Sequence, residues 1–236
     1  MEKLIEGTAA LGLKLTPQQQ EQFHYYYQEL IKWNKKVNLT RIVDYNEVQV
    51  KHFVDSLTVT LALSQVPKGL KVIDVGTGAG LPGLPLKIVF NHIKLVLLES
   101  VAKKTAFLKH LIKQLELKEV EVVTGRAEEI AHQPQYREQF LVVLSRAVAK
   151  LPALAELTLP FCHLNGRVIL LKKGQIKQEV DQAIKAIDTL GGSLQEIKKI
   201  DLPGLSDRRY LVIIDKIRLT PLNYPRHPGV PARRPI

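Results

Sequence analysis

The sequence predicts an α/β, Rossmann-like fold: a mostly parallel seven-stranded sheet that ends in an antiparallel hairpin, with an N-terminal helical extension. Three observations predict it. From Leu70 onward short β-rich runs alternate with helical segments, the pattern of a parallel sheet covered on both faces. The first run, VIDV, leads directly into the glycine loop GTGAGLPG. The last two runs are joined only by LPGLSD, too short for a parallel crossover, so they pair antiparallel.

The elements follow in order. Thr16-Pro17-Gln18-Gln19 has capping-box spacing with proline at the first helical position, and Phe23, Tyr27 and Leu30 recur at helical intervals, which predicts a helix over 17–34. Val50, Val54, Leu57 and Leu61 mark a second helical face, closed by Pro67-Lys68-Gly69. Residues 1–66 therefore form a helical extension. The runs LKVIDV, KLVLLE, VEVVTG, FLVVLSR and RVILLK alternate with helices such as 103–115 and 175–190, and SLQEIKKID and RRYLVII complete the hairpin. The core spans 67–216, and 217–236 is a basic, proline-rich strap.

Composition narrows the class. A chain of 236 residues, 45% hydrophobic, buries one sizeable core. No apolar run approaches the ~20 residues of a membrane span, and the acidic start MEKLIEGTAA is unlike a secretory signal, so a cytoplasmic location without membrane attachment is expected. The lone Cys162, in the apolar stretch LPFCHL, excludes an internal disulfide and reads as a buried thiol. A formal charge of +11 points to a polyanionic partner. From Lys216 onward the last 21 residues carry Arg218, Arg226, Arg233 and Arg234, no acid and five prolines, which predicts a stiff, extended cationic strap. Removal of residues 224–236 is expected to weaken RNA binding, to flatten its salt dependence and to leave cofactor binding alone.

Glycines 76, 78 and 80 let the backbone turn sharply and approach a ligand closely. Asp74 and Glu99 end neighbouring strands at the carboxyl edge of the sheet, where open α/β folds bind ligands. A carboxylate at Glu99 can accept both hydroxyls of a ribose, so the cofactor carries a nucleoside. Gly78-x-Gly80-x-x-Gly83 also satisfies the dinucleotide fingerprint, with Glu99 as its acid. The aspartate before the first glycine and the terminal hairpin favour S-adenosylmethionine over NAD, and the outline is that of a class I methyltransferase. Two alternatives stand beside it: an NAD-dependent oxidoreductase, which requires a wholly parallel sheet, and a non-catalytic RNA-binding ribosome-assembly factor.

WNKKVNLT at 33–40, KHFVDSL at 51–57, DVGTGAGLPGLP at 74–85, LLESVAKKTAFL at 97–108, GRAEEI at 125–130, LSRAVA at 144–149 and LLKKG at 170–174 together resemble the bacterial 16S ribosomal RNA guanine-N7 methyltransferases, the RsmG or GidB family. The resemblance covers nearly the whole chain, tail included. It implies a guanine in the 530 loop of 16S RNA as acceptor, a 16S RNA or small-subunit partner, and cofactor contacts from Gly76, Leu81, Ala127, Glu128 and Arg146, beside Asp74, Gly78 and Glu99. The chain departs from the family at Phe140-Leu141-Val142, where an aspartate often stands near the strand start.

Guanine N7 presents a lone pair and no proton, so no general base and no catalytic residue in that sense is expected; the site has to align nucleophile, methyl and sulfur. Positive charge moves onto the base, so Arg146 should face the cofactor carboxylate or an RNA phosphate rather than N7. Transfer to a cytosine carbon would need a well-placed cysteine, and transfer to an exocyclic amine resembles an Asn/Asp-Pro-Pro-aromatic loop where this chain reads SRAVA. Lys103, Lys104, Lys172, Lys173, Arg208, Arg209, Arg226, Arg233 and Arg234 are the candidate RNA contacts. Trp33, Tyr25 and Tyr26 read as core, and His52, Asp55 and Asn38 as structural hydrogen-bonding residues. A monomer without a metal is expected.

Overall fold

Every second residue along the inner strands faces the same layer, and both layers are covered. The computed structural model describes all residues except 147, 203, 206 and 207. Ala147 of the SRAVA stretch and three residues of the hairpin loop LPGLSD therefore lie outside the described residues.

The N-terminal region contributes α1 (Glu2–Ala10) and α2 (Pro17–Val37). The capping box forms as the sequence requires, and Gln19 also donates through its amide to the carbonyls of Ile88 and Val89, tying the start of α2 to the sheet domain. Asn38 ends α2 in the left-handed conformation. The second helical stretch is not one regular helix. It passes from α3 (Tyr45–Val48) through a π-helical turn (Gln49–Val54) and α4 (Asp55–Leu57) into a 3-10 turn (Thr58–Ala62). Leu61, placed on the buried face by its spacing, is 40% exposed because the wide π turn shifts the phase of the helix.

The core elements are β1 (Lys71–Val75), α5 (Gly83–Val89), β2 (Lys94–Glu99), α6 (Ala102–Gln114), β3 (Val120–Thr124), α7 (Ala127–Ile130), β4 (Phe140–Arg146), α8 (Leu151–Thr158), β5 (Cys162–Lys173), α9 (Lys177–Thr189), β6 (Gly192–Ile200), β7 (Arg209–Lys216) and α10 (Val230–Arg233). Strand order is β3-β2-β1-β4-β5-β7-β6. The first five strands run parallel, and β7 is antiparallel to both β5 and β6. The antiparallel β7 removes the wholly parallel sheet on which the dinucleotide-dehydrogenase reading depended.

Val72, Leu95, Leu97, Val142 and Leu144 pack on one face with Leu84, Phe107, Leu111 and the N-terminal Phe23, Tyr26, Leu30 and Phe53. Ile73, Val75, Val96, Leu98 and Val143 pack on the other with Leu151, Leu154, Val180 and Ala183. The N-terminal helices thus share one hydrophobic core with the sheet, and this brings them against its carboxyl edge.

The tail departs from the extended strap the prolines suggested. It turns, forms the one-turn α10 with Pro231 buried, and docks through Arg226, Gly229 and Ile236. Prolines fix φ, but here they do so in a folded path.

Candidate active site

β1 gives way to Gly76, Gly78 and Gly80 with φ of 69, 61 and 95°, the left-handed region that glycine enters without steric cost. The loop is fastened from three sides. The N–H groups of Gly76 and Thr77 donate to the Leu98 carbonyl at 2.8 and 3.1 Å, and the Tyr26 hydroxyl donates to the Ala79 carbonyl at 2.6 Å. Asp74 accepts, through Oδ2, from the Thr77 hydroxyl at 2.6 Å and the Gly83 N–H at 2.8 Å. A Cβ at Gly83 would fall 2.9 Å from that same oxygen, which is why α5 begins on glycine. Asp74 is fully buried, with Oδ1 unpartnered, and burial pushes its carboxyl up to about 6 against the pull of Thr77 and Gly83. Asp74 thus braces the turn of the glycine loop through these two bonds.

Glu99 faces the loop from β2. Its Oε2 accepts from the Gly78 N–H at 3.0 Å and its Oε1 from the Val101 N–H at 2.9 Å, which fixes the carboxylate while each oxygen keeps a further lone pair. Beside it a small cavity of about 80 Å³ is lined by Gly76, Leu98, Gly125, Ala127, Glu128, Val148 and Leu157. Glu99 sits between two lining residues, Leu98 and Ser100. Backbone at Gly76 and Gly125, an apolar slot between Leu98 and Leu157, and carboxylates at Glu99 and Glu128 suit a flat base joined to a sugar diol. Burial pushes the Glu128 carboxyl up, but hydrogen bonds from the Gly229 N–H and the Arg126 guanidinium outweigh it and hold the group below the usual range. Of the expected cofactor contacts, Gly76, Ala127 and Glu128 line this cavity. Leu81 is buried outside it, and Arg146 lines a neighbouring one.

That second cavity, about 450 Å³, lies along the ends of β4, β5 and β7 under the π turn. Six cationic side chains, Lys51, Arg146, Lys150, Lys172, Lys173 and Arg209, face two carboxylates, Asp55 and Glu179. The π turn delivers Lys51 and His52, and Asp55 follows it. Asp55 Oδ2 accepts from Arg146 Nη1 and Arg209 Nη1, each at 3.0 Å, and Arg146 also donates to the Lys51 carbonyl at 3.3 Å. All three side chains are 14% exposed or less, so this Arg-Asp-Arg arrangement is a shielded unit. Lys172 pairs with Glu179 at 2.5 Å. Val148 lines both cavities and is the wall between them.

Of the candidate RNA contacts, Lys172, Lys173 and Arg209 converge on the cationic cavity, whereas the neighbouring Arg208 faces a groove with Gln175, Asp181 and Tyr210. Arg226 is not available to RNA: its guanidinium and N–H are bound to Glu156, a carboxylate with no exposure. Arg233 and Arg234 are exposed on the tail, and Lys103 on α6. Tyr26 and Trp33 serve the core, Trp33 donating to Glu29. Cys162 is fully buried and its thiol is pushed up to about 12, which leaves it unreactive. No group of metal ligands occurs among the described residues. The sequence reading missed Lys51, Val148, Gly125 and the pairing of Asp55 with two arginines. The motif KHFVDSL held part of that signal.

His52 meets Thr40 Oγ1 at 2.7 Å through Nε2, the loop contact its position suggested. Burial, reinforced by Arg146, pushes its pKa down to about 3, so the imidazole is neutral at working pH. Between pH 3 and 6.5 the unfolded chain binds this proton more readily than the folded one. Stability is therefore full above pH 6.5 and is lost as pH falls through that window. Asp74, raised toward 6, has the opposite sign over its own range, losing stability as pH rises. His52→Gln should remove the histidine contribution, flattening the acid side by up to ~1.4 kcal/mol per pH unit. Urea unfolding of both proteins at pH 7 and 4.5 checks this; parallel pH slopes would contradict it.

The sequence profile of the family described as GidB, rRNA small subunit methyltransferase G, matches residues 19–209. The chain is 49% identical over 236 residues to the ribosomal RNA small subunit methyltransferase G of Dehalococcoides mccartyi, covering all of both chains. It is 47% identical over 236 residues to the protein of the same name from a Roseiflexus species, again over the full length of both. Among solved structures it is similar to a SAM-dependent methyltransferase from Aquifex aeolicus, with a TM-score of 0.54 and 16% identity, over 79% of this chain and 97% of that one. This last likeness speaks for the fold.

Proposed function

Because the chain belongs to the rRNA small subunit methyltransferase G family, we propose that it transfers a methyl group from S-adenosylmethionine to ribosomal RNA in the cytoplasm, at N7 of a guanine in the 530 loop of 16S RNA. The observation that carries the reading is the pair of cavities that share Val148: one lined by glycine backbone and Glu128 with Glu99 beside it, the other wide and cationic. S-adenosylmethionine supplies a methyl on a positively charged sulfur.

The protein's part is placement. Glu99, held by two N–H donors, presents its remaining lone pairs to a ribose diol, and Gly76 and Gly125 leave room for the nucleoside. In the cationic cavity Lys51, Lys172, Lys173 and Arg209 attract RNA phosphates. Arg146 is drawn toward Asp55, so its charge is partly neutralised where positive charge must develop on the acceptor base. The acidic groups lining this cavity are engaged, Asp55 by two arginines and Glu179 by Lys172, and His52 is neutral and bound to Thr40. A reaction at an atom without a proton makes no demand on any of them.

The test is mass mapping of 16S RNA from cells with and without the protein. One guanine in the 530 loop should lose a methyl group and regain it on complementation. An unchanged 16S modification pattern would overturn the assignment.

A further inference from the structure

The basic tail, which its composition marks as a separable RNA strap, grips the two elements that wall the smaller cavity. On the first, α7, the Gly229 N–H donates to Glu128 Oε1 at 3.0 Å, and His132 just beyond meets the Pro225 carbonyl at 2.8 Å. On the second, α8, Arg226 gives Glu156 its main-chain N–H at 2.8 Å, its Nε at 2.9 Å and its Nη2 at 2.6 Å. Glu128 itself lines the cavity, and Glu156 precedes Leu157, which lines it too. Glu156 has no exposure, and among the described residues no cation other than Arg226 pairs with it. A buried carboxylate of this kind holds its position only while its partner stays. Arg137 fastens the approach to the tail through the carbonyls of Thr220 and Tyr224.

We propose that residues 224–236 are a brace of the cofactor cavity: they set the spacing of α7 and α8 and the orientation of Glu128, so that S-adenosylmethionine affinity depends on them. The proposal rests on the methyltransferase reading above. It reverses the expectation that the tail can be removed without consequence for the cofactor. Gly229, at φ 82°, and Arg226 act here as positioning residues, through Glu128 and Glu156.

Calorimetric titration of S-adenosylmethionine into the intact chain, a chain lacking 224–236, and Arg226→Lys tests it. The truncated chain should bind at least tenfold more weakly. With small ribosomal subunits as acceptor, its KM for S-adenosylmethionine should rise in step while kcat at saturation stays within twofold. Arg226→Lys keeps the charge and loses the two-pronged geometry, so it should fall between the two. Hydrogen exchange on the intact chain gives a reading free of any folding defect: saturating S-adenosylmethionine should slow exchange of the Gly229 amide tenfold or more. Equal affinity of intact and truncated chains, a fall in kcat at constant KM, or an indifferent Gly229 amide would each overturn the brace alone. An intact chain that ignores S-adenosylmethionine would overturn both the brace and the reading beneath it.

Discussion

Asp55→Ala is expected to lower methyl transfer by on the order of 100-fold and to destabilise the fold by about 3 kcal/mol. Asp55 is a carboxylate shared by Arg146 from β4 and Arg209 from β7, both at 3.0 Å. Its removal leaves Arg146 with the Lys51 carbonyl, and two like charges at the edge of the cavity without the anion between them. The guanidiniums would then swing apart or recruit water, and the cationic wall of the cavity would lose its geometry. Asp55→Asn retains an oxygen at the same place and should cost less in stability, while leaving the cavity more positive. Activity on small subunits and urea unfolding of the two variants check this. Wild-type turnover in Asp55→Ala would show that the cationic cavity plays no part in the reaction.

Gly76→Val is expected to reduce S-adenosylmethionine affinity by more than 100-fold, about 2.7 kcal/mol. Gly76 lines the smaller cavity at φ 69°, where a β-branched residue is strained. Its Cβ would fall 2.5 Å from Val148 Cγ2, so Val148 would have to move out of the wall between the cavities. Gly12→Ala separates backbone strain from blockage. Gly12 has φ 74° with nothing within 4 Å of its Cβ, so that variant should lose stability by about 1 kcal/mol and keep its affinity. Equal affinity losses in the two variants would mean that strain, and not occupation of the cavity, is responsible.

The strands were legible because each is a short β-branched run bounded by turn residues, and the hairpin because LPGLSD is too short for anything else. That the glycine loop and Glu99 meet at the sheet's edge was legible because each ends a strand of neighbouring β/α units. What could not be read was pairing across long separations. Arg146 and Asp55 lie 91 residues apart, and Arg209 and Asp55 154 apart, and nothing local to either arginine names its partner. The π turn escaped because Val50, Val54 and Leu57 satisfy ordinary helical spacing. The tail was misjudged for a different reason: five prolines and no acid describe a free cationic strap equally well until its partners are known. One signal pointed inward. Glu156 is a lone acid in the apolar run LPALAELT, and a buried carboxylate requires a cation from somewhere. The sequence places Asp74 at the strand end but does not show that one of its oxygens accepts from Thr77 and Gly83.

On the reading proposed above, the rim of the sheet holds a nucleoside-linked methyl donor between the glycine loop, Glu99 and Glu128. The most direct measurement is calorimetric titration of the intact protein with S-adenosylmethionine and, separately, with NAD. The account predicts a single micromolar site for S-adenosylmethionine, lost in Gly76→Val, and no heat from NAD. Binding of NAD with no response to S-adenosylmethionine would contradict it.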